Sequence, residues 1–397
     1  MAVFNRADIL LPKTDMTKWS VVACDQYTSE PEYWQETARI AEGSPSALNI
    51  VFPEVYLSEG DGRIEKINKT MQEYIDMGLF TEYKNSLIYI EREVAGKVRQ
   101  GLIGAVDLDE YDFNKGAKAA IRATEGTVLE RIPPRVRIRE NAPLELPHIM
   151  LLADDVEKTI IEPLADMDKT LLYDFELMQK GGNIKGWLLS DSAADYALSA
   201  IEKFSQTAAD GLIFAVGDGN HSLATAKTCW EKIKPTLTPE ERETHPARFC
   251  LTELVNIHSD ALEFEPIHRV VFGTNPEELL KKLERDCGGE GHIIKYAYKG
   301  KEGEISLSDK DAKLAVGALQ SFLDKEGAEV DYIHGDDVTV ELGKRDGNIG
   351  FLLPKPEKSD LFKSVIKDGA LPRKTFSMGE AHEKRFYIEA KRLVKNA

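Results

Sequence analysis

The chain has 397 residues, a formal net charge of −17 and a composition that is 42% hydrophobic and 30% charged. That length supports two or three well-buried cores, and with no low-complexity tract or internal repeat it excludes a disordered chain or a solenoid. The acidic balance argues against general binding to nucleic acid or to an anionic membrane, since the average surface repels both, yet it leaves room for a local basic pocket.

Taken in chain order, Ala7–Leu11 and Ser20–Ala23 are short apolar runs and predict strands. Ser29-Glu30-Pro31 opens a helix through about Ile40, with Pro31 suited to the first turn. Ile64, Ile67, Met71, Ile75 and Leu79 recur every three or four residues and mark an amphipathic helix ending near Gly78. Leu87–Val94 and Val98–Leu108 flank Ala95-Gly96-Lys97 as a β-hairpin. Arg135, Arg137 and Arg139 alternate with Val136 and Ile138, so an extended segment would put three guanidinium groups on one side.

Further strands are expected at Pro147–Leu152, Leu212–Val216, Phe249–Ile257, Val270–Phe272, Val338–Leu342 and Gly350–Leu353. Helices are expected at Ala193–Phe204, Ser222–Ile233, Pro276–Leu283, Ala312–Lys325 and, closing the chain, Ala381–Leu393. Strands and helices mix without a strict βαβ rhythm, which predicts an α+β fold of mixed sheets with packed helices. The polar stretches near 109–118 and 235–246 are the best exposed connections. Cys24, Cys229, Cys250 and Cys287 lie far apart with no CxxC pair, so reduced thiols and a cytosolic location are expected. Neither a signal-peptide plan nor a run of about 18 apolar residues suggests export or a membrane span.

The most informative segment is Gly217-Asp218-Gly219-Asn220-His221-Ser222, between the buried run Leu212–Val216 and a helix whose stripe is Leu223, Ala226, Trp230 and Ile233. The first N–H groups of that helix lack internal partners, and its dipole favours an anion there. Glycines let a ligand approach backbone closely, as phosphate loops require. Asp218 is a candidate to hold a divalent cation or accept a proton, Asn220 to orient a ligand, and His221 to act as acid, base or phosphate ligand. The plainer alternative is a tight turn with Asp218 or Asn220 capping the helix. The segment is neither a GxGxxG loop nor a P-loop.

This loop resembles the Asp-Gly-His-His-Arg loop of the family called domain of unknown function 1015. Four other segments agree in order: Val22–Tyr27 around Asp25, Arg122-Ala123-Thr124-Glu125-Gly126-Thr127, Glu265-Pro266-Ile267-His268-Arg269, and Leu371-Pro372-Arg373-Lys374-Thr375. This chain has Asn220 and Ser222 where the family loop has its first His and its Arg, and its Asp25 segment lacks the family's two prolines. The resemblance implies one family unit over 1–397, provisionally divided at 1–115, 116–275 and 276–397. It also implies a ParB/sulfiredoxin-like core around the strand, loop and helix at 211–233.

In that fold, which includes free-serine kinases, a comparable loop receives the phosphates of a nucleotide. The resemblance therefore implies a nucleotide or other phosphate-bearing ligand, with magnesium as a possible companion at Asp218. Asp218 and His221 would be catalytic, and Gly217, Gly219, Asn220, Ser222, Asp25, Arg122, Glu125, His268, Arg269 and Lys374 would bind. A nucleotide-dependent phosphotransferase or hydrolase is the leading expectation, and a nucleotide- or metabolite-sensing protein the alternative. Sulfiredoxin-like proteins carry their reactive cysteine in this loop, where Asn220 stands, so thiol chemistry there is excluded. His382-Glu383 does not begin an HExxH zinc motif, because position 386 is phenylalanine. Cys24 and the remaining histidines, His148, His245, His258, His292 and His334, are expected to be structural.

Overall fold

Two apolar, alternating runs joined by the left-handed pair Ala95-Gly96 fold into the hairpin Ile88–Val94 and Lys97–Asp107, the centre of a ten-stranded mixed sheet. The computed structural model describes residues 2–127, 129–310, 314–369, 371–372 and 374–394. On one side of the hairpin lie Gly182–Leu189 and Lys169–Leu177; on the other lie Phe249–Asn256, Met150–Ala153, Phe214–Asp218, Ile121–Ala123 and Tyr111–Asp112. The sheet thus takes strands from both sides of position 115.

Side chains alternate across it, so Leu151, Val216 and Leu254 enter one core with the helices Asp191–Ser205 and Asn220–Ile233. Leu152, Ala215 and Val255 enter the opposite core with Phe264, Phe376 and Met378. A five-stranded sheet built from residues 268–352 carries a separate core, covered by the helices Pro276–Cys287 and Ala315–Glu326. The α+β expectation holds. Among the described residues no helix is long and apolar enough to cross a membrane, and Cys24, Cys229 and Cys250 are free thiols.

Three expected elements take another form. Residues Ile132–Arg139 are helical, with Pro133 and Pro134 in the first turn and Ile132 and Val136 buried one turn apart, so the three arginines fan out. Asp336–Gly343 is a helix and not a strand, with two acids in its first turn where the dipole favours them. The segment expected as a closing helix forms a short 3-10 turn and the two-residue strands Phe386–Tyr387 and Lys391–Arg392, because it threads buried between packed layers. Of the helix expected at 312–325, Ala312 and Lys313 lie outside the described residues.

The hairpin is packed to contact. A Cβ at Gly104 would overlap the Phe4 ring and meet Leu87 Cδ2 at 2.7 Å. Gly104→Ala is therefore expected to lose about 1–3 kcal/mol in denaturant unfolding despite alanine's lower backbone entropy; an unchanged midpoint would show that Phe4 yields freely.

Candidate functional site

Strand directions explain why the site gathers where it does. Phe214–Asp218 runs antiparallel to Met150–Ala153, so the loop after Asp218 emerges beside the residues before Met150, and Asp218 pairs with Met150. It runs parallel to Ile121–Ala123, so Thr124 and Glu125 emerge at the same end. Thr124 Oγ1 donates to the Val216 carbonyl at 2.7 Å and meets Asn220 Nδ2 at 3.5 Å, fixing the two exits together.

The helix Asn220–Ile233 starts directly from Gly219, which is left-handed at φ 78° and gives it no side-chain cap. Asp218 Oδ1 accepts from Gly219 N–H at 2.8 Å, so its carboxylate is turned back onto the loop and does not cap the helix. Asp218 thus does not cap the helix, and among the described residues no side chain caps the amides of Asn220 and Ser222 in the first turn of this 14-residue helix. The glycines serve the fold. A Cβ on Gly217 would press on Leu152 Cγ at 2.8 Å, and one on Gly219 would meet Ile149 Cα at 3.0 Å. Close ligand approach is not what demands them.

Lys384 brings a cation to this cluster. Its Nζ lies 3.5 Å from Asp218 Oδ2, and its charge also favours the ionised forms of Asp25 and Glu125. Burial and the nearby Asp218 charge push the Glu125 carboxyl up to about 7, against the Lys374 backbone N–H and the charges of Lys384 and Arg269. Asp25 differs: burial opposes its charge, but His148, the Gln26 amide and Lys384 hold it below the usual carboxylate range. Two carboxyl groups in one cluster are thus driven in opposite directions, a common sign of divided acid–base roles.

His148 occupies the far side of the loop. Its Nε2 lies 3.4 Å from Ser222 Oγ and 3.9 Å from Asp25 Oδ1, and its Nδ1 lies 2.9 Å from the Tyr387 hydroxyl. That hydroxyl accepts from Cys24 N–H at 3.2 Å. Burial pushes the Cys24 thiol up to about 12, so it is a neutral hydrogen-bonding group. Arg135 reaches the same region from its helix, paired with Glu54 and within electrostatic reach of Asp25 and Tyr387.

Beneath the site lies a buried charge network. Arg385 donates to Glu253 at 2.6 Å, to Glu389 at 2.7 Å and to the Pro147 carbonyl at 3.3 Å, anchoring its segment to the residue before His148. Arg92, fully buried, donates to the carbonyls of Gly181, His382 and Lys384.

The family profile "Protein of unknown function (DUF1015)" matches residues 6–370. The chain belongs to this family. No curated protein matches this DUF1015 chain. Among solved structures, SbnI with a C-terminal truncation from Staphylococcus aureus is 12% identical, covers 70% of this chain and 82% of its own, and has a TM-score of 0.37. A free serine kinase mutant in complex with ADP is 11% identical over 76% of this chain and 95% of its own, at a TM-score of 0.41. A conserved hypothetical protein from Pyrococcus furiosus is 10% identical over 72% and 93%, at 0.35.

Of the residues singled out in the DUF1015 sequence, the fold brings together Asp25, Glu125, Gly217, Asp218, Gly219, Asn220, His221 and Ser222. Arg269 approaches from the five-stranded sheet and Lys374 from the loop before the strand Phe376–Met378: Arg269 Nη1 donates to the Lys374 carbonyl at 2.8 Å, and both cations lie over the Tyr332 ring. Arg373 of that motif lies outside the described residues.

Two residues go elsewhere. Arg122 is consumed by Asp210, at 2.9 Å, and by the Ala119 carbonyl, at the opposite end of the strand from the loop. His268 bonds Asp336 at 2.7 Å and accepts from Leu353 N–H at 3.0 Å, which ties the smaller sheet together.

His148, Tyr387 and Lys384 were not legible as site residues, since their partners lie far off in sequence; the one local signal was a histidine between Pro147 and a buried strand. Among the described residues no group of three or more His, Cys, Asp or Glu side chains converges to hold a metal ion. A cavity of about 580 Å3 lined by Asp109, Tyr111, Phe113, Lys227 and Glu231 lies further along the loop helix, away from its first turn.

Proposed function

We propose that the DUF1015 chain binds a phosphate-bearing small molecule, a nucleotide in the first instance, at the amino end of the helix Asn220–Ile233, and transfers or hydrolyses its terminal phosphoryl group. The observation that carries this is a helix start with no cap from Gly219 or Asp218, beside the Asp218–Lys384 ion pair in a cluster of half-buried ionisable groups. The amides of residues 220–222 would receive phosphate oxygens, and Lys384 and Lys374 would balance their charge. Glu125, near neutrality in its proton affinity, would take the proton of the accepting hydroxyl or water. Asp218, already engaged by Lys384 and Gly219, does not fit a resident magnesium ion, so magnesium enters with the nucleotide.

The alternative is a sensor that binds the same ligand without turnover; Asn220 and Ser222, which replace the family's His and Arg, favour it. The ParB/sulfiredoxin-like core at 211–233 belongs to the same proposal.

Thermal unfolding with ATP, ADP or pyrophosphate, with and without magnesium, tests the seat. A ligand at a hundred times its Kd adds about 2.7 kcal/mol of stability, so a clear rise in Tm is expected. If none of these compounds raises it, the proposal fails. With a stabilising nucleotide, product release marks the enzyme and its absence the sensor; His221, in the first helical turn, would relay charge at the phosphate, so His221→Ala should abolish release in the enzyme.

A further inference from the structure

We propose that Ser222 is a covalent phosphoryl carrier, activated by His148. This rests on the phosphate seat above and adds a step to it. Three observations support it: the serine hydroxyl, the imidazole and their supports already form one chain, the serine lies in the first turn of the uncapped helix, and Ser222 stays partly exposed while His148 and Tyr387 are buried.

One tautomer of His148 is the reactive one. The Tyr387 oxygen accepts from Cys24 N–H and lies 2.9 Å from His148 Nδ1. In the proposed step Nδ1 carries the proton and donates its hydrogen bond to that oxygen, and Nε2, 3.4 Å from Ser222 Oγ, is the base. Asp25 Oδ1, 3.9 Å from that nitrogen, stabilises the imidazolium once Nε2 gains a proton. A nucleophile, a base within reach and groups that orient the base are the requirements of covalent catalysis.

In the first step the Ser222 proton passes to His148 Nε2 and Oγ bonds to the γ-phosphorus of the nucleoside triphosphate. The bond from that phosphorus to the bridging oxygen breaks, and the nucleoside diphosphate leaves with the electron pair. The amides of residues 220–222 lie beside the oxygens on which charge gathers. In the second step Glu125 takes the proton of water or a substrate hydroxyl, whose oxygen attacks the same phosphorus. The bond to Oγ breaks, and Oγ recovers its proton from His148. Each half-reaction has its own base: His148 for the first and Glu125 for the second. Ser222, which departs from the family loop, is then a gain of a nucleophile.

The test uses the full chain with magnesium and ATP labelled in its γ-phosphate, quenched in acid at successive times, with the Ser222 peptide read by mass spectrometry. One phosphoryl group should appear on Ser222. Ser222→Ala should lose the label and slow ADP release by at least about 100-fold, while ATP still raises its Tm. His148→Gln should slow labelling by a similar factor. If ATP raises the Tm and is turned over, yet Ser222 is never labelled and Ser222→Ala releases ADP at the original rate, the carrier role is overturned and the seat stands. Stabilisation without turnover likewise overturns the carrier and leaves a sensor. If ATP neither stabilises nor reacts, seat and carrier fall together.

Discussion

Replacing Arg385 with alanine is expected to cost about 3–5 kcal/mol of folding stability, the usual price of stranding buried carboxylates. Arg385 is fully enclosed and divides its guanidinium between Glu253 and Glu389, with the Pro147 carbonyl as a third acceptor. Burial works against the Glu253 charge, but Arg99 and Arg385 together hold its carboxyl below the usual range. A carboxyl lowered on folding adds stability above its unfolded value and loses it as pH falls through the folded one. The deficit of Arg385→Ala should therefore be largest near neutral pH and shrink in acid, where the stranded carboxyls are protonated. Urea unfolding at two pH values measures this; a deficit that ignores pH would mean lost packing and not lost charge pairing.

Glu125→Gln is expected to separate stability from function. Turnover should fall by about 10²–10⁴, the ordinary contribution of a positioned acid–base group. The wild-type rate should climb with pH until about 7, where the Glu125 carboxylate is formed, and the variant should lack that limb. Stability should move the other way. A carboxyl raised from 4.5 to about 7 on folding makes the native state lose stability as pH rises between those values. The glutamine variant should thus gain on the order of 2 kcal/mol over wild type at pH 8, with part of the side chain still meeting solvent, and nothing near pH 4. A variant with unchanged turnover, or one less stable than wild type at pH 8, would remove Glu125 from the proton-transfer role.

The centre of this site was legible because its signal is local. A buried run, two glycines and an amphipathic helix stand next to one another in sequence, and the strand Phe214–Asp218 and the helix Asn220–Ile233 follow that order. Its surroundings were not legible, because they come from contact across the chain: Tyr387 meets His148 across 239 residues. The alternation of Arg135 to Arg139 imitates a strand, while Pro133 and Pro134 start a helix there. The segment 381–393 has helix-forming composition, but burying Arg385, Phe386, Tyr387, Ile388 and Glu389 in one extended run satisfies more partners than a helix would. Arg122 matched a family motif and still proved structural, since Asp210 claims it.

The phosphate seat at the helix start is tested most directly by the backbone amide resonances of Asn220, His221 and Ser222 during titration with ATP and magnesium. Bound phosphate should shift these three amides together, with the same apparent Kd, and Lys384→Ala should weaken that Kd markedly. If the ligand binds while these amides stay where they are and signals elsewhere move, the seat lies somewhere else and the account is wrong.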